Sequence, residues 1–248
     1  MRQIETFPKS WMSAIQASFL ARLPRHTQEA LLQGAREVSA APRSLLYSES
    51  ADPEQAHLVL VVDGLIRVFR TSRSGREVTV RHARTGDVLG LPSMLARASP
   101  GAAHAVVPSK VLMMSAPRLR ALAQSDSQLA WAVAEEMAGS LFNIQERLVH
   151  NVLAPVRSRV ARYLLDVAVG SEANYVAVAR HEDIATAIGT VREVVARVLM
   201  EFRKEGLTSR CGSGILLANV DALRQVAQLE EFRDFRTRRA AGDNPFDQ

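Results

Sequence analysis

The chain has 248 residues, 47% hydrophobic and 23% charged, which supplies a buried core and length for about two domains. Thirty-one Lys plus Arg against 26 Asp plus Glu leave a formal charge of +5, favouring a polyanionic partner, while the single Cys211 excludes internal disulfides and an iron–sulfur cluster held by several thiolates. No apolar run reaches the ~18–20 residues of a bilayer span and Met1–Pro8 lacks the apolar stretch of a signal peptide, so no membrane partner and a cytoplasmic location are expected.

From about Ser44 to Ser115 the pattern is short β-rich runs broken by turn residues. Ala56–Val62 is followed by Asp63-Gly64, Leu65–Thr71, a Ser74-Gly75 turn, Glu77–His82, Gly86-Asp87 and Val88-Leu89-Gly90. Asp-Gly between apolar runs is the strongest short hairpin signal, and turns at about ten-residue intervals predict a compact antiparallel roll. After an excursion from Leu91 to Gly101, Ala103–Val107 and Val111–Ser115 close this domain, placed over residues 1–126.

The texture then turns helical, around Pro117–Ala123 and again from Ser127 to Leu153, with Asp126 or Ser127 as cap. Ala130, Ala134, Met137, Leu141, Ile144 and Leu148 recur at spacings of four and three, the seam of a coiled coil, so residues 127–155 read as a dimerisation helix. An amphipathic helix packed on its own domain shows such spacing too. Pro155 stops the run.

Residues 156–228 carry the motif that bears on function. Val156, Val160, Tyr163, Leu164 and Val167 form one apolar helical face. After a break, His181–Ile188, Gly189 and a second amphipathic stretch from Arg192 follow the helix-turn-helix plan, in which glycine makes the tight turn. At about 100° per residue Arg192, Glu193 and Arg197 share one side of the second helix, and Val194, Val195, Val198, Leu199 and Phe202 the other. Arginine reads guanine O6 and N7 by two parallel hydrogen bonds and glutamate accepts from cytosine N4, so this face suits a G·C-containing site in double-stranded DNA. His181, Thr190 and Arg203 join the candidate DNA-binding set. Leu207–Arg210 and Ile215–Ala218 around Cys211–Gly214 read as a wing whose Arg210 reaches phosphate. A plainer reading is a capping box, with Glu193 folded back on the backbone and Arg192 at the surface. Residues 229–248 form a basic tail with a polar, Gly- and Pro-containing end, expected to fray.

Gly189-Thr190-Val191-Arg192-Glu193-Val194-Val195-Ala196-Arg197 resembles the recognition helix of the CRP/FNR family of bacterial transcription regulators, and the likeness extends from about residue 44 to 220. Gly64, Ser74–Glu77 and Gly86-Asp87 are similar to that family's β-roll turns, and Arg159, Leu164 and Leu165 to the helix after its dimerisation helix. The resemblance implies an α+β fold: an N-terminal antiparallel β-roll, a long dimerisation helix and a C-terminal winged helix-turn-helix. It implies a homodimer that reads a palindromic operator with TGTGA-like half-sites through Arg192, Glu193 and Arg197. RNA polymerase and a small-molecule effector are further partners it suggests.

The chain departs from the family in three places. Val191 stands where the family has a capping serine, so Thr190 is expected to cap instead. Leu91 replaces the glutamate of cyclic-AMP binders, and Ser99–Ala102 lacks the arginine that pairs with the cyclic phosphate. Ile144 and Gln145 replace the hydroxyls that contact adenine. A buried cyclic phosphate needs a charged partner, so cyclic AMP in the usual mode is not expected, although Arg97 substitutes if the excursion is shifted. Leu91, Arg97, His104, Ile144 and Gln145 are the candidate effector residues. His57, His82 and His104 leave haem open, but histidines among strands are more often structural. No catalytic group and no metal-ligand spacing stands out, so an enzyme is the weakest reading; a regulator needing no effector and a protein-only interaction module are its rivals.

Overall fold

The computed structural model describes residues 7–48, 57–75, 77–96, 101–170, 174–212 and 214–227, in two units, Met1–Met137 and Ala138–Gln248. The first unit opens with α1 (Lys9–Gln16), a 3-10 turn (Phe19–Arg22) and α2 (Arg25–Leu32). β1 (Arg36–Ala40), β2 (Leu45–Tyr47), β3 (His57–Asp63), β4 (Ile66–Thr71), β5 (Glu77–Ala83) and β6 (Val88–Leu89) follow. Next come α3 (Leu91–Ala96), β7 (Ala102–Ala105), β8 (Ser109–Ser115) and α4 (Ala116–Ser125). Two four-stranded antiparallel sheets result, ordered β1-β8-β3-β6 and β2-β7-β4-β5.

β3 shows why a continuous apolar run makes a central strand. Side chains alternate across a sheet, and here both faces are buried: Leu58 and Leu60 join one core cluster, Val59 and Val61 another. β8 repeats the division, with Leu112 and Met114 on the first side and Val111 on the second. The first cluster is completed by Ile15, Phe19, Leu20 and Leu31 from the N-terminal helices. Gly64, between β3 and β4, has φ +100°, and a Cβ there would lie 2.2 Å from Ser109 Oγ, so the turn requires glycine twice over.

α5 (Ser127–Leu153) starts where the sequence places it. Asp126 Oδ1 accepts the N–H groups of Gln128 (3.0 Å) and Leu129 (3.1 Å), and Thr27 donates to its other oxygen at 2.9 Å. The Leu129 N–H and the Thr27 hydroxyl hold this carboxyl below the usual carboxylate range. Leu129, Ala132 and Val133 bury against the first unit's core.

The second unit contains the rest of α5, α6 (Val156–Val167), β9 (Ala168–Val169), β10 (Val176–Ala177), α7 (His181–Ile188) and α8 (Arg192–Lys204). β11 (Thr208–Cys211), β12 (Gly214–Leu217) and α9 (Val220–Val226) follow, and the strands form one sheet ordered β11-β12-β10-β9. Of the apolar face expected on α6, Val160, Leu164 and Val167 are buried.

His150, at the end of α5, is 3% exposed, and its Nε2 lies 3.1 Å from Ser158 Oγ and 3.2 Å from the Ala227 carbonyl oxygen. A carbonyl only accepts, so Nε2 carries the proton, while Nδ1 has no partner among the described residues. Burial, then the Arg162 charge, push its pKa below the histidine value of 6.5, against the pull of the Ala227 carbonyl and Asp166. Below pH ~6.5 the unfolded chain therefore binds more protons than the native one, and stability falls with falling pH until the native imidazole itself titrates. The melting temperature of the protein is expected to drop by a few degrees more between pH 7.5 and 5.5 in the wild type than in His150→Gln. Equal pH profiles would remove the burial argument.

Candidate nucleic-acid interface

The helix-turn-helix is α7, its turn and α8. Asp183 Oδ2 accepts the Arg180 N–H at 3.1 Å, and Glu182 and Asp183 place negative charge in the first turn, where the helix dipole favours it. Gly189 ends α7 at φ 68°, ψ 48°, and nothing lies within 4 Å of where its Cβ would stand. The left-handed backbone, and not crowding between the helices, is what demands glycine here. Thr190 N–H bonds Ala185 O at 2.9 Å, and Arg159 Nη1 donates to the Ile188 carbonyl at 2.7 Å and to the Asn151 carbonyl at 3.0 Å. The turn is thus held by its own backbone and by one arginine of α6.

α8 begins at Arg192 with Val191 as its N-cap and no side-chain cap. The expected Thr190 cap does not form, because the cap position falls one residue later, and the capping-box reading of Glu193 goes with it. Val195, Val198, Leu199 and Phe202 are buried, and Arg192, Glu193, Arg197, Met200 and Lys204 are exposed. Arg203, expected among the DNA contacts, folds back to donate to the Leu199 carbonyl at 3.1 Å and is half-buried. Arg157 stacks over the Phe202 ring at 4.7 Å and pairs with Glu201 and Glu205 on the far side of α8.

Arg192 and Arg197 are five residues apart, about 7.5 Å along the axis, which is roughly two base-pair steps. The exposed strip is therefore two guanidinium groups and one carboxylate with an apolar Met200 beside them. Half-exposed His181 starts α7, Thr190 lies in the turn, and exposed Arg210 sits on β11, opposite Ile215 of β12 in the wing. Sequence reasoning missed Glu182, whose Oε1 lies 3.1 Å from Arg192 Nε across the Gly189 turn. Nothing in a linear pattern pairs residues ten apart on different helices.

On α5, Leu141, Ile144 and Leu148 are exposed, as are Ala130 and Ala134. Val152 and Leu153 continue the exposed apolar surface past the last seam residue recognised in the sequence. Met137 is half-buried and packs on the first unit's core. Among the candidate effector residues, Leu91 is buried in the same cluster, and half-buried His104 places its ring 5.1 Å from that of Phe69. Ile144 and Gln145 are exposed on the second unit's part of α5, and Arg97 lies outside the described residues. His57 is an exposed end residue of β3, and His82 is half-buried on β5. Among the described residues no group of three or more His, Cys, Asp or Glu side chains stands ready to hold a metal, and no helix is long and apolar enough to cross a membrane.

Residues 37–126 match the family pattern of a cyclic nucleotide-binding domain, and residues 158–226 that of a Crp-like helix-turn-helix domain. The chain is 31% identical over 180 residues to the transcriptional regulator LdrP of Thermus thermophilus, covering 70% of this chain and 89% of the relative. It is 31% identical over 175 residues to the cyclic AMP receptor protein of Thermus thermophilus, covering 70% and 78%. Among solved structures, a CRP-family transcriptional regulator from Thermus thermophilus superposes with a TM-score of 0.63 at 26% identity, over 78% of this chain and 96% of that one.

Proposed function

The chain belongs to the CRP/FNR family of transcription regulators, and from that premise we propose that it acts as a homodimer on a palindromic operator, reading base edges through Arg192, Glu193 and Arg197. The observation that carries this is α8 itself: its buried side holds Val195, Val198, Leu199 and Phe202, and its open side offers two arginines and a glutamate with no side-chain cap competing for them. Arg210, His181 and Thr190 serve backbone contacts, which fix register without carrying sequence information. The second copy docks along Leu141, Ile144 and Leu148, whose exposure in a single chain is the surface a partner helix would cover. RNA polymerase is the further partner such a regulator engages at a promoter.

Two recognition helices related by a two-fold axis enter successive major grooves on one face of the duplex. Selection of bound duplexes from a random library is therefore expected to return inverted half-sites about one helical turn, roughly 34–36 Å, apart. A single asymmetric site would exclude the two-fold arrangement. No sequence preference at all would favour a module that contacts protein only.

We further infer that cyclic AMP in the usual mode is not the effector. Leu91, in the place where the resemblance sets a glutamate, is closed into an apolar cluster with Leu58, Leu60 and Leu112, and a charged ligand gains nothing there. A ligand that prefers the folded state raises its melting temperature by mass action, so cyclic AMP at millimolar concentration is expected to leave the melting curve unmoved. A saturable shift lost in Arg97→Ala would show that Arg97 supplies the missing charge.

A further inference from the structure

Resting on the reading of Arg192 as a base-contacting residue, we propose that Glu182 is a specificity-determining positioning residue: its carboxylate pairs with the Arg192 guanidinium on the Nε side and narrows the directions in which that side chain points. Glu182 Oε1 lies 3.1 Å from Arg192 Nε, and the pair links the first turn of α7 to the first turn of α8. The two side chains are 57% and 64% exposed, and an ion pair in that much water adds little to folding stability.

Its effect falls on binding. A carboxylate beside a DNA-reading face repels phosphates and weakens binding to every sequence alike. A guanidinium whose range is already narrowed by an ion pair loses less freedom when two of its donors meet guanine O6 and N7, and that gain comes only with the right base. The same tether keeps Arg192 from swinging out to a phosphate, the contact that would reward any sequence. Glu182 thus lowers non-specific affinity and preserves specific affinity, which is how a repulsive element raises selectivity. Arg197 has no carboxylate partner among the described residues, so the two arginines of the strip differ in this respect.

That difference gives the test a positional signature. The full chain and its Glu182→Ala, Glu182→Gln and Arg192→Ala variants are each used to select duplexes from a random library. Each is then titrated against the best wild-type duplex and a scrambled duplex of the same composition, at two salt concentrations. Glu182→Ala is expected to bind the scrambled duplex about three- to tenfold more tightly and the selected duplex as tightly as the wild type does, lowering the ratio by about three- to tenfold. Its selected sites relax at the half-site position that Arg192→Ala relaxes, while the position read by Arg197 stays sharp. Glu182→Gln, which keeps the shape and removes the charge, behaves in the same direction with an unchanged melting temperature. In an Arg192→Ala background Glu182→Ala leaves the ratio where it is. Equal changes on both duplexes with the ratio intact would reduce Glu182 to a plain surface charge and overturn the positioning role alone. Equal losses on both duplexes for Arg192→Ala would overturn base reading by Arg192, and the role of Glu182 with it.

Discussion

Arg192→Ala and Arg197→Ala are each expected to weaken binding to the best operator by about 1–3 kcal/mol, roughly 5- to 150-fold, and to relax base preference at one position per half-site. A two-pronged guanine contact is lost with the guanidinium, and the base edge left behind keeps no partner of equal geometry. Glu193→Ala mainly relaxes preference, because its carboxylate discriminates more than it attracts. Arg210→Ala, by contrast, is expected to weaken all sequences alike and to reduce the slope of log affinity against log salt by about one unit, as the loss of a phosphate-contacting wing cation would. Titration of each variant against operator and scrambled duplex at several salt concentrations separates the two kinds of residue. If Arg192→Ala and Arg197→Ala lose affinity equally for both duplexes, these arginines are electrostatic anchors and α8 is not the reader.

If α5 carries the proposed dimer seam, Ile144→Glu and Leu148→Glu are expected to leave the protein a monomer at low micromolar concentration. Each of these side chains contributes about 1.5–3 kcal/mol when fully covered, and an unpaired carboxylate in the same place adds a desolvation cost of several kcal/mol. The dimer dissociation constant is therefore expected to rise by more than about a hundredfold, and operator affinity falls because the half-sites are no longer held at high effective concentration. Sedimentation velocity reads the first effect. A Leu148→Glu chain that sediments as a dimer would assign that face of α5 to something else. Met137→Glu is the wrong probe, since Met137 packs on the first unit's core and its replacement damages the fold before the interface.

The strands of the roll were legible because their signals are local. Asp63-Gly64 marks its turn, and β3, β4, β5 and β8 fall within a residue or two of the runs that flank such turns. β1 was not legible: its first four residues are exposed, so Arg36–Ser39 shows no apolar alternation to mark it as a strand. α1 and α2 went unseparated from the roll because each is only eight residues long, with a proline N-cap and no capping side chain. α3 is six residues inside what reads as an irregular excursion.

At the candidate interface, the exposed strip of α8 follows from helical period alone, since one apolar face fixes where the other must point. The cap did not, because a backbone in the extended region can start a helix at Val191 without any side-chain acceptor. Period places Arg203 near Arg192 but does not fix its side-chain direction: a long side chain near the end of a helix is free to turn back to a carbonyl of its own previous turn, as Arg203 does to Leu199. Met137 has the spacing of the seam candidates and also packs on the first unit's core, which spacing cannot reveal.

The junction between α5 and α6 is tied on both sides of Pro155. Rotation about the Ala154–Pro155 link would pull Arg159 from the Asn151 carbonyl, or from the Ile188 carbonyl at the other end of its reach, and would part His150 from Ser158. His150 and Ser158 are buried, so the torn contacts would face no water until the joint had opened widely. These contacts oppose rotation at the joint, where a bare proline linker would let α6 drift relative to the end of α5.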